Sequence, residues 1–432
     1  MTRNKVLTLM IIAGTSFGGV ISATDWPQWR GPFSNGSSDE KGLPAKWTKT
    51  ENMAWVCPLP GPAAATPIIS NGKVFISSTD EQNSDLLGLC IDAGSGKELW
   101  RKKLAVAYCK VPRNNMASSS PAADGKQVYF LFGSGDLAAL DYEGKVLWSR
   151  NLQKEYGNIS IKYGYSSSPL LYEGRLYLLI QRRHTAYRSP ESTTLDSFLL
   201  AVDTRTGENI WKQPRKTDAR DESFDAYSSP ITFDNNNRRE IVTIGGDCII
   251  GHDPSDGREL WRFDYNPIKH DNWRQIPMPV PGEEFVYGVR SRGNGIFAVK
   301  AGGKGILSQE HIAWTFDGPT PDSGTPLYYE GHLYVLDDMG NGLSCLEAKT
   351  GQLKWHNKLG GNAPWRASLT AADGKIYCMN ETGLVVILEA DPKKFKVISS
   401  IDFNEKPSHA SIAIAGGHLF IRTGRNLYCV GK

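Results

Sequence analysis

Apolar and polar side chains alternate in short runs along residues 323–359, SGTPLYYEGHLYVLDDMGNGLSCLEAKTGQLKWHNKL. The alternation predicts strands over 325–329, 332–336 and 342–346, with Leu333 and Val335 on one face. The tight turn Glu330-Gly331, a loop over 338–341 and a turn over 348–351 separate them, and a fourth strand ends near Trp355. Turn signals about every 8 to 12 residues leave no room for helices. Four antiparallel strands per unit is the composition of a propeller blade.

The same unit recurs. DAGSGKELW, DYEGKVLW, DTRTGENIW, DPSDGRELW and EAKTGQLKW end on Trp100, Trp148, Trp211, Trp261 and Trp355, and Trp55 and Trp314 continue the series without the phrase. The spacing, roughly 41 to 63 residues, is that of one supersecondary unit in a radial repeat. Glycine in each turn supplies a positive φ, and the acid accepts hydrogen bonds from loop amides. A flat indole with one N–H donor suits contact with a neighbouring blade, so these seven tryptophans are assigned a structural docking role. The first strands open at Thr66-Pro67, Ser119, Ser167, Ser228, Met278-Pro279, Thr325-Pro326, Ser368 and Ser411, which counts eight blades. The last lacks its tryptophan strand, and the segment 52–59 with Trp55 is expected to complete it, removing an exposed edge. Blade seven, with DPKKFKV, and blade five, with AGGKG before Trp314, depart most from the repeat. The expectation is an all-β, eight-bladed propeller of four-stranded antiparallel blades, closed by its amino-terminal strand.

Composition narrows the function. A net charge of +3 is spread over 432 residues without a basic block, so nucleic acid is not an expected partner. Residues 1–23 read as an export signal: Arg3 and Lys5 precede an apolar stretch broken by glycines, and Ser22-Ala23 offers a cleavage site. The organisation expected is signal 1–23, leader 24–51 and propeller 52–432, with no transmembrane segment and a soluble monomer exported to the periplasm or cell envelope. No cysteine precedes Cys57, so a lipid-anchored amino terminus is not expected. Seven cysteines is an odd count with no adjacent pair and no C-x-x-C; Cys90, Cys345 and Cys429 share one repeat register and read as small buried residues.

The D-x-x-T-G-x-x-x-W phrases, the SSP openings and the tally of eight resemble the pyrroloquinoline quinone (PQQ) repeat superfamily. That superfamily holds the quinoprotein alcohol dehydrogenases and the BamB-type propeller of outer-membrane assembly. The leader DWPQWRGP, followed by LPAKW, resembles exported propellers of bacteria such as planctomycetes. The resemblance implies the fold over nearly all of the mature chain, and PQQ enters as a cofactor by resemblance alone. The dehydrogenases carry a vicinal cysteine disulfide against the cofactor and a glutamate–asparagine–aspartate set around calcium. This sequence has no adjacent cysteines, no motif that places the calcium set and no C-x-x-C-H haem site.

In a propeller with these turns, the blade openings and the second-to-third-strand loops share the face opposite the turn phrases. One position per blade heads the openings: Ala64, Ser118, Ser166, Tyr227, Ile276, Ser323, Arg366 and His409. Arg113, Lys162, Tyr165, Asp225, Arg274 and Asp322 fall near them. Arg113, Lys162, Tyr165, Asp225, Tyr227, Arg274, Asp322, Arg366 and His409 are therefore the candidate binding residues, and their cations favour an anionic ligand or an acidic partner surface. The insertion 181–197 reads as a lid or partner-binding loop, or as a flexible excursion, and Asp337-Asp338 as solvated loop acids. No metal site and no catalytic constellation is identified. The function expected is an exported, non-enzymatic scaffold binding a protein or a polar ligand through its funnel face; the alternative is a PQQ-dependent oxidoreductase or another funnel-site enzyme.

Overall fold

The computed structural model describes residues 25–431 except 49, 81, 160, 184–195, 236–237 and 301. The signal expected over 1–23 and most of the 181–197 insertion, including His184 and Arg188, lie outside the described residues. Among the described residues eight sheets follow one another along the chain, and helix is confined to Leu152–Tyr156 and two short 3-10 turns. Blade six runs Leu327–Tyr329, His332–Asp337, Gly342–Glu347 and Leu353–Lys358, close to the spans the alternation predicts. Its period of two divides the core. Leu333 and Val335 pack towards blade five, whereas Tyr334 and Leu336 pack towards blade seven. Each blade thus buries one face on each neighbour, and the core is a ring of inter-blade clusters.

Closure is by strand exchange between the chain's ends. Met53–Pro58 pairs antiparallel with Asn426–Val430 and completes blade eight. Blade four departs from four strands: Gly305–Ile306, within the AGGKG excursion, adds a fifth strand parallel to Glu259–Asp264.

Opposite each repeat tryptophan stands a small residue on the neighbouring strand. Trp100 and Trp355 face Cys90 and Cys345, Trp55 faces Cys429, and Trp148 and Trp211 face Ala139 and Ala201. A bulky side chain there would push the indole out of the sheet. The indole N–H groups of Trp55, Trp100, Trp148, Trp211, Trp314 and Trp355 donate to Ala93, Tyr142, Thr204, Pro254, Ala348 and Asp391 carbonyls of the next blade at 2.9–3.1 Å. The first five rings lie over that blade's turn glycine, whereas Trp355 meets Phe395 of the glycine-free blade-seven turn. A Cβ on Gly96 would stand 2.5 Å from the Trp55 ring, so the glycine is needed for this approach as well as for its φ of 72°. Trp261 differs: its N–H donates to Glu240 Oε2 of its own blade at 2.6 Å, because blade five's turn has swung out as the added strand. Blade seven carries Ser399 at the tryptophan position, opposite Ile387. Blade eight takes its fourth strand from the other end of the chain, so no hairpin loop there could receive an indole. Trp47 of the leader is buried in the cluster at this junction instead.

The SSP openings have a similar explanation. The first serines of blades two and three donate from Oγ to the next opening, Ser119 to the Ser167 carbonyl and Ser167 to the Ser228 carbonyl. The second-serine hydroxyls accept a backbone N–H from the preceding blade. Thr66 donates to Ser120, Ser120 to Ser168 and Ser168 to Ser229 at 2.8–2.9 Å. Thr325 and Ser368 accept in the same way from Met278 and Thr325, and Thr66 accepts from Ser411. A belt of hydroxyls therefore ties the innermost strands together around the axis.

The leader crosses this axis. Trp26 exchanges two hydrogen bonds with Ile69 of blade one, Pro27 accepts from Ala123 of blade two, and Gln28 accepts from Leu171 of blade three. Arg30 then reaches Leu369 and Pro326 of blades seven and six. Gly36 and Ser38 pair with Ala371, and Pro44 accepts from Tyr377. Trp26 and Arg30 are fully buried. The segment expected to precede the propeller thus closes its channel below the funnel.

Candidate functional site

The funnel above the leader is a cup of about 240 Å³. All eight opening positions line it: Ala64, Ser118, Ser166, Tyr227, Ile276, Ser323, Arg366 and His409. The radial repeat brings them to one rim although 345 positions separate the first from the last. Small residues on blades one, two, three and six leave the space, and the larger side chains of blades four, five, seven and eight fill the other side. Trp29 of the leader also lines the cup, below this ring, and packs against the cluster of blades four and five.

Six of the nine candidate residues meet here: Arg113, Tyr227, Arg274, Asp322, Arg366 and His409 line the cup. Lys162 stands just outside it, 3.5 Å from Glu222. Asp225 is fully buried behind the wall, where Arg183 Nε and Nη2 hold its two oxygens at 2.9 and 3.1 Å. Burial pushes its carboxyl up against the pull of Arg183. Tyr165 is not a rim residue. It is buried in the cluster between blades two and three, because the chain turns inward after Gly164 and the ring fills that junction. Asp338, expected as a solvated loop acid, is 1% exposed and accepts from the amides of Asp322 and Ser323 at 3.1 and 2.9 Å. It fixes the turn that presents Asp322, and burial raises its carboxyl above the usual range.

The cations do not add up to a positive funnel. Arg274 Nη2 lies 2.5 Å from Asp322 and Nη1 3.4 Å from Glu222, which also holds Arg292 at 2.9 Å. Arg366 and His409 share Glu381 Oε1 at 2.6 and 3.1 Å. The His409 hydrogen bond and the Arg366 charge keep that carboxyl below its ordinary value. Arg274 also stands over the Tyr163 ring, 5.5 Å from its centroid. Glu222, Glu381, Arg292 and Trp29 were not singled out in the sequence. Glu222 sits on the 3-10 turn Asp221–Phe224 before blade four opens, and Glu381 in the second-to-third-strand loop of blade seven. Both positions belong to the predicted face, but only folding reveals which cation each one meets. The expected excess of positive charge is corrected accordingly; Arg113, exposed at the rim, is paired with no carboxylate among the described residues.

The family described as outer membrane protein assembly factor BamB matches residues 37–217 and 245–394. The chain belongs to this family. The matched stretches omit 218–244, the segment that carries Glu222, Asp225 and Tyr227 into the funnel wall. Among solved structures, the quinohemoprotein alcohol dehydrogenase of Comamonas testosteroni is similar at 12% identity and a TM-score of 0.65, over 94% of this chain and 81% of that one. BamB from Moraxella catarrhalis is similar at 13% identity and a TM-score of 0.57, over 88% and 97%. A europium-containing methanol dehydrogenase is similar at 11% identity and a TM-score of 0.68, over 94% and 89%. These likenesses show the fold. Comparison with curated proteins gave no significant match.

The residues of this BamB-family cup do not fit a quinone held on calcium. No two cysteines are adjacent, and the six buried ones sit in the blades. The lining carboxylate, Asp322, is committed to Arg274, and no three His, Cys, Asp or Glu side chains among the described residues converge on a cation position. What the arrangement offers is a rigid polar cup. Arg274, Arg366 and His409 are fixed by carboxylates, and the hydroxyls of Thr66, Ser120, Ser168 and Ser368 by neighbouring amides.

Proposed function

We propose that the protein is an exported recognition scaffold that binds a partner loop or a polar ligand in the funnel and performs no chemistry on it. The observation that carries this reading is the pairing of Arg274, Arg366 and His409 with Asp322, Glu222 and Glu381. Charges locked in this way give a site shape and hydrogen-bonding specificity without reorganisation on binding, as a recognition surface requires. Among the described residues no helix is long and apolar enough to cross a membrane.

Native mass spectrometry of the protein purified from its own envelope tests the reading directly. A protein or small molecule should travel with the parent and be lost from an Arg366→Ala/His409→Ala variant that melts as a folded protein. Turnover of a co-purifying molecule, or capture that the variant leaves intact, would overturn it.

A further inference from the structure

The hydroxyl belt leaves the cup with more donors than the protein can use. Thr66, Ser120, Ser168 and Ser368 line the cup, and each Oγ accepts a backbone N–H from the neighbouring blade. A hydroxyl whose lone pair is engaged by an amide has its proton left to donate. No acceptor for those protons is found among the described residues. The hydroxyls of Ser166 and Ser323, also in the lining, make no hydrogen bond at all within the described protein. On the acceptor side, Asn114 Oδ1 is already taken by Ser118, and Asp322 gives Oδ2 to Arg274 while its Oδ1 is buried away from the cup without a partner.

Charge and shape point the same way. Arg113 is the lining cation without a carboxylate partner, and it is held in the left-handed region at φ 58° before the blade-two opening. Its chain neighbours Asn114 and Asn115 bond Ser118, Tyr163 and Pro62, which places it by the openings of blades one to three, on the side where small residues leave the space. The O–H donors of Thr66, Ser120, Ser166 and Ser168 share that part of the cup with the guanidinium.

We propose that the cup binds a small organic oxyanion, a carboxylate or a phosphate ester, with its charged end on Arg113 and its remaining oxygens on the threonine and serine hydroxyls of blades one to three. This rests on the recognition reading above and names the ligand's chemistry. Guanidinium with hydroxyl donors matches an oxyanion's several lone pairs, whereas a cation or an apolar molecule would leave those donors unpaired.

Calorimetric titration of the full mature chain with citrate, glucose 6-phosphate and glucose tests it, at low and at physiological ionic strength. At least one of the two anions should bind, the response to citrate against the phosphate ester deciding which oxyanion is preferred, and glucose should not. Arg113→Gln should weaken the bound anion about tenfold, the worth of one charge-assisted hydrogen bond. Ser166→Ala should weaken it severalfold with no change in melting temperature, since its hydroxyl does not hold the fold. Arg205→Gln, on an exposed turn away from the funnel, is the control for general charge and should change nothing. The oxyanion proposal falls if neither anion binds, or if Arg113→Gln binds as tightly as the parent. Binding of glucose that the Arg366→Ala/His409→Ala variant weakens would remove the oxyanion and leave the funnel as a recognition site. Native capture untouched by Arg113→Gln and by that double variant would remove both.

Discussion

Arg30 Nη1 lies 2.6 Å from the carbonyl oxygen of Leu369, joining the leader to blade seven across 339 positions of sequence. The same guanidinium bonds the Pro326 and Asn35 carbonyls and is fully buried, with burial pushing it down to about 9. Arg30→Met keeps much of the volume and leaves those carbonyls unpaired. A loss of about 2 to 4 kcal/mol is expected, at about 1 to 3 kcal/mol for each buried unsatisfied group, partly offset by removal of a desolvated charge. Denaturant unfolding measures it, and a variant as stable as the parent would refute the pinning role.

The leader and the closing strand should both be needed. Deleting 25–35 removes the buried Trp26 and Arg30 and reopens the channel; deleting 52–59 unpairs Asn426–Val430. Closure by 52–59, read from the sequence alone, makes the second deletion cost far more than the first. With residues 26–30 bonded to five blades, both truncations should unfold at clearly lower denaturant, and a leader deletion that leaves the midpoint unmoved would contradict this placement.

Trp211→Ala and Trp355→Ala each remove a ring lodged against the next blade together with its bond to Pro254 or Asp391. Losses of about 3 kcal/mol are expected for each, at the lower end of large aromatic truncations because both rings are partly exposed. Melting curves indistinguishable from the parent's would argue that the blades hold without these indoles.

Arg274→Ala should lower stability as well as binding, since it strips Asp322 of its closest partner and Glu222 of one of three. The expected cost is about 1 to 3 kcal/mol, below that of a fully buried pair because solvent reaches the rim. Asp322→Asn in the Arg274→Ala background should recover part of it. A double variant no more stable than the single one would sink the pairing argument.

His252 is fully buried in blade four, with Nδ1 3.1 Å from the Gly257 carbonyl and Nε2 3.3 Å from Thr243 Oγ1. Burial pushes it from 6.5 down to about 4, so the folded state holds it neutral where the unfolded chain would protonate it. Its contribution is full above pH 6.5 and is lost as pH falls towards 4, by up to about 1.4 kcal/mol per pH unit. Asp247, raised to about 6 by burial, acts in the opposite sense over part of that window, so the difference from His252→Gln is the quantity to measure. A constant difference between the two proteins from pH 7 to pH 4 would contradict a buried neutral imidazole.

The sequence by itself determined the propeller. Period-two alternation, turn residues and recurring tryptophans act within one blade or between neighbours, so blade count, strand order, closure by 53–58 and the eight rim positions were all readable from local pattern. The SSP openings were legible as a marker, although their hydroxyl belt was not. Only the tertiary structure decided what converges on the axis. Glu222 and Glu381 neutralise cations from other blades, Asp338 is buried beneath the turn that holds Asp322, and Tyr165 fills a junction between blades. The leader, which carries no repeat signal, supplies Trp29 to the cup and Arg30 to its closure. Each of these outcomes depends on distances between residues far apart in the chain. Radial closure sets those distances, and no periodicity along the sequence encodes them.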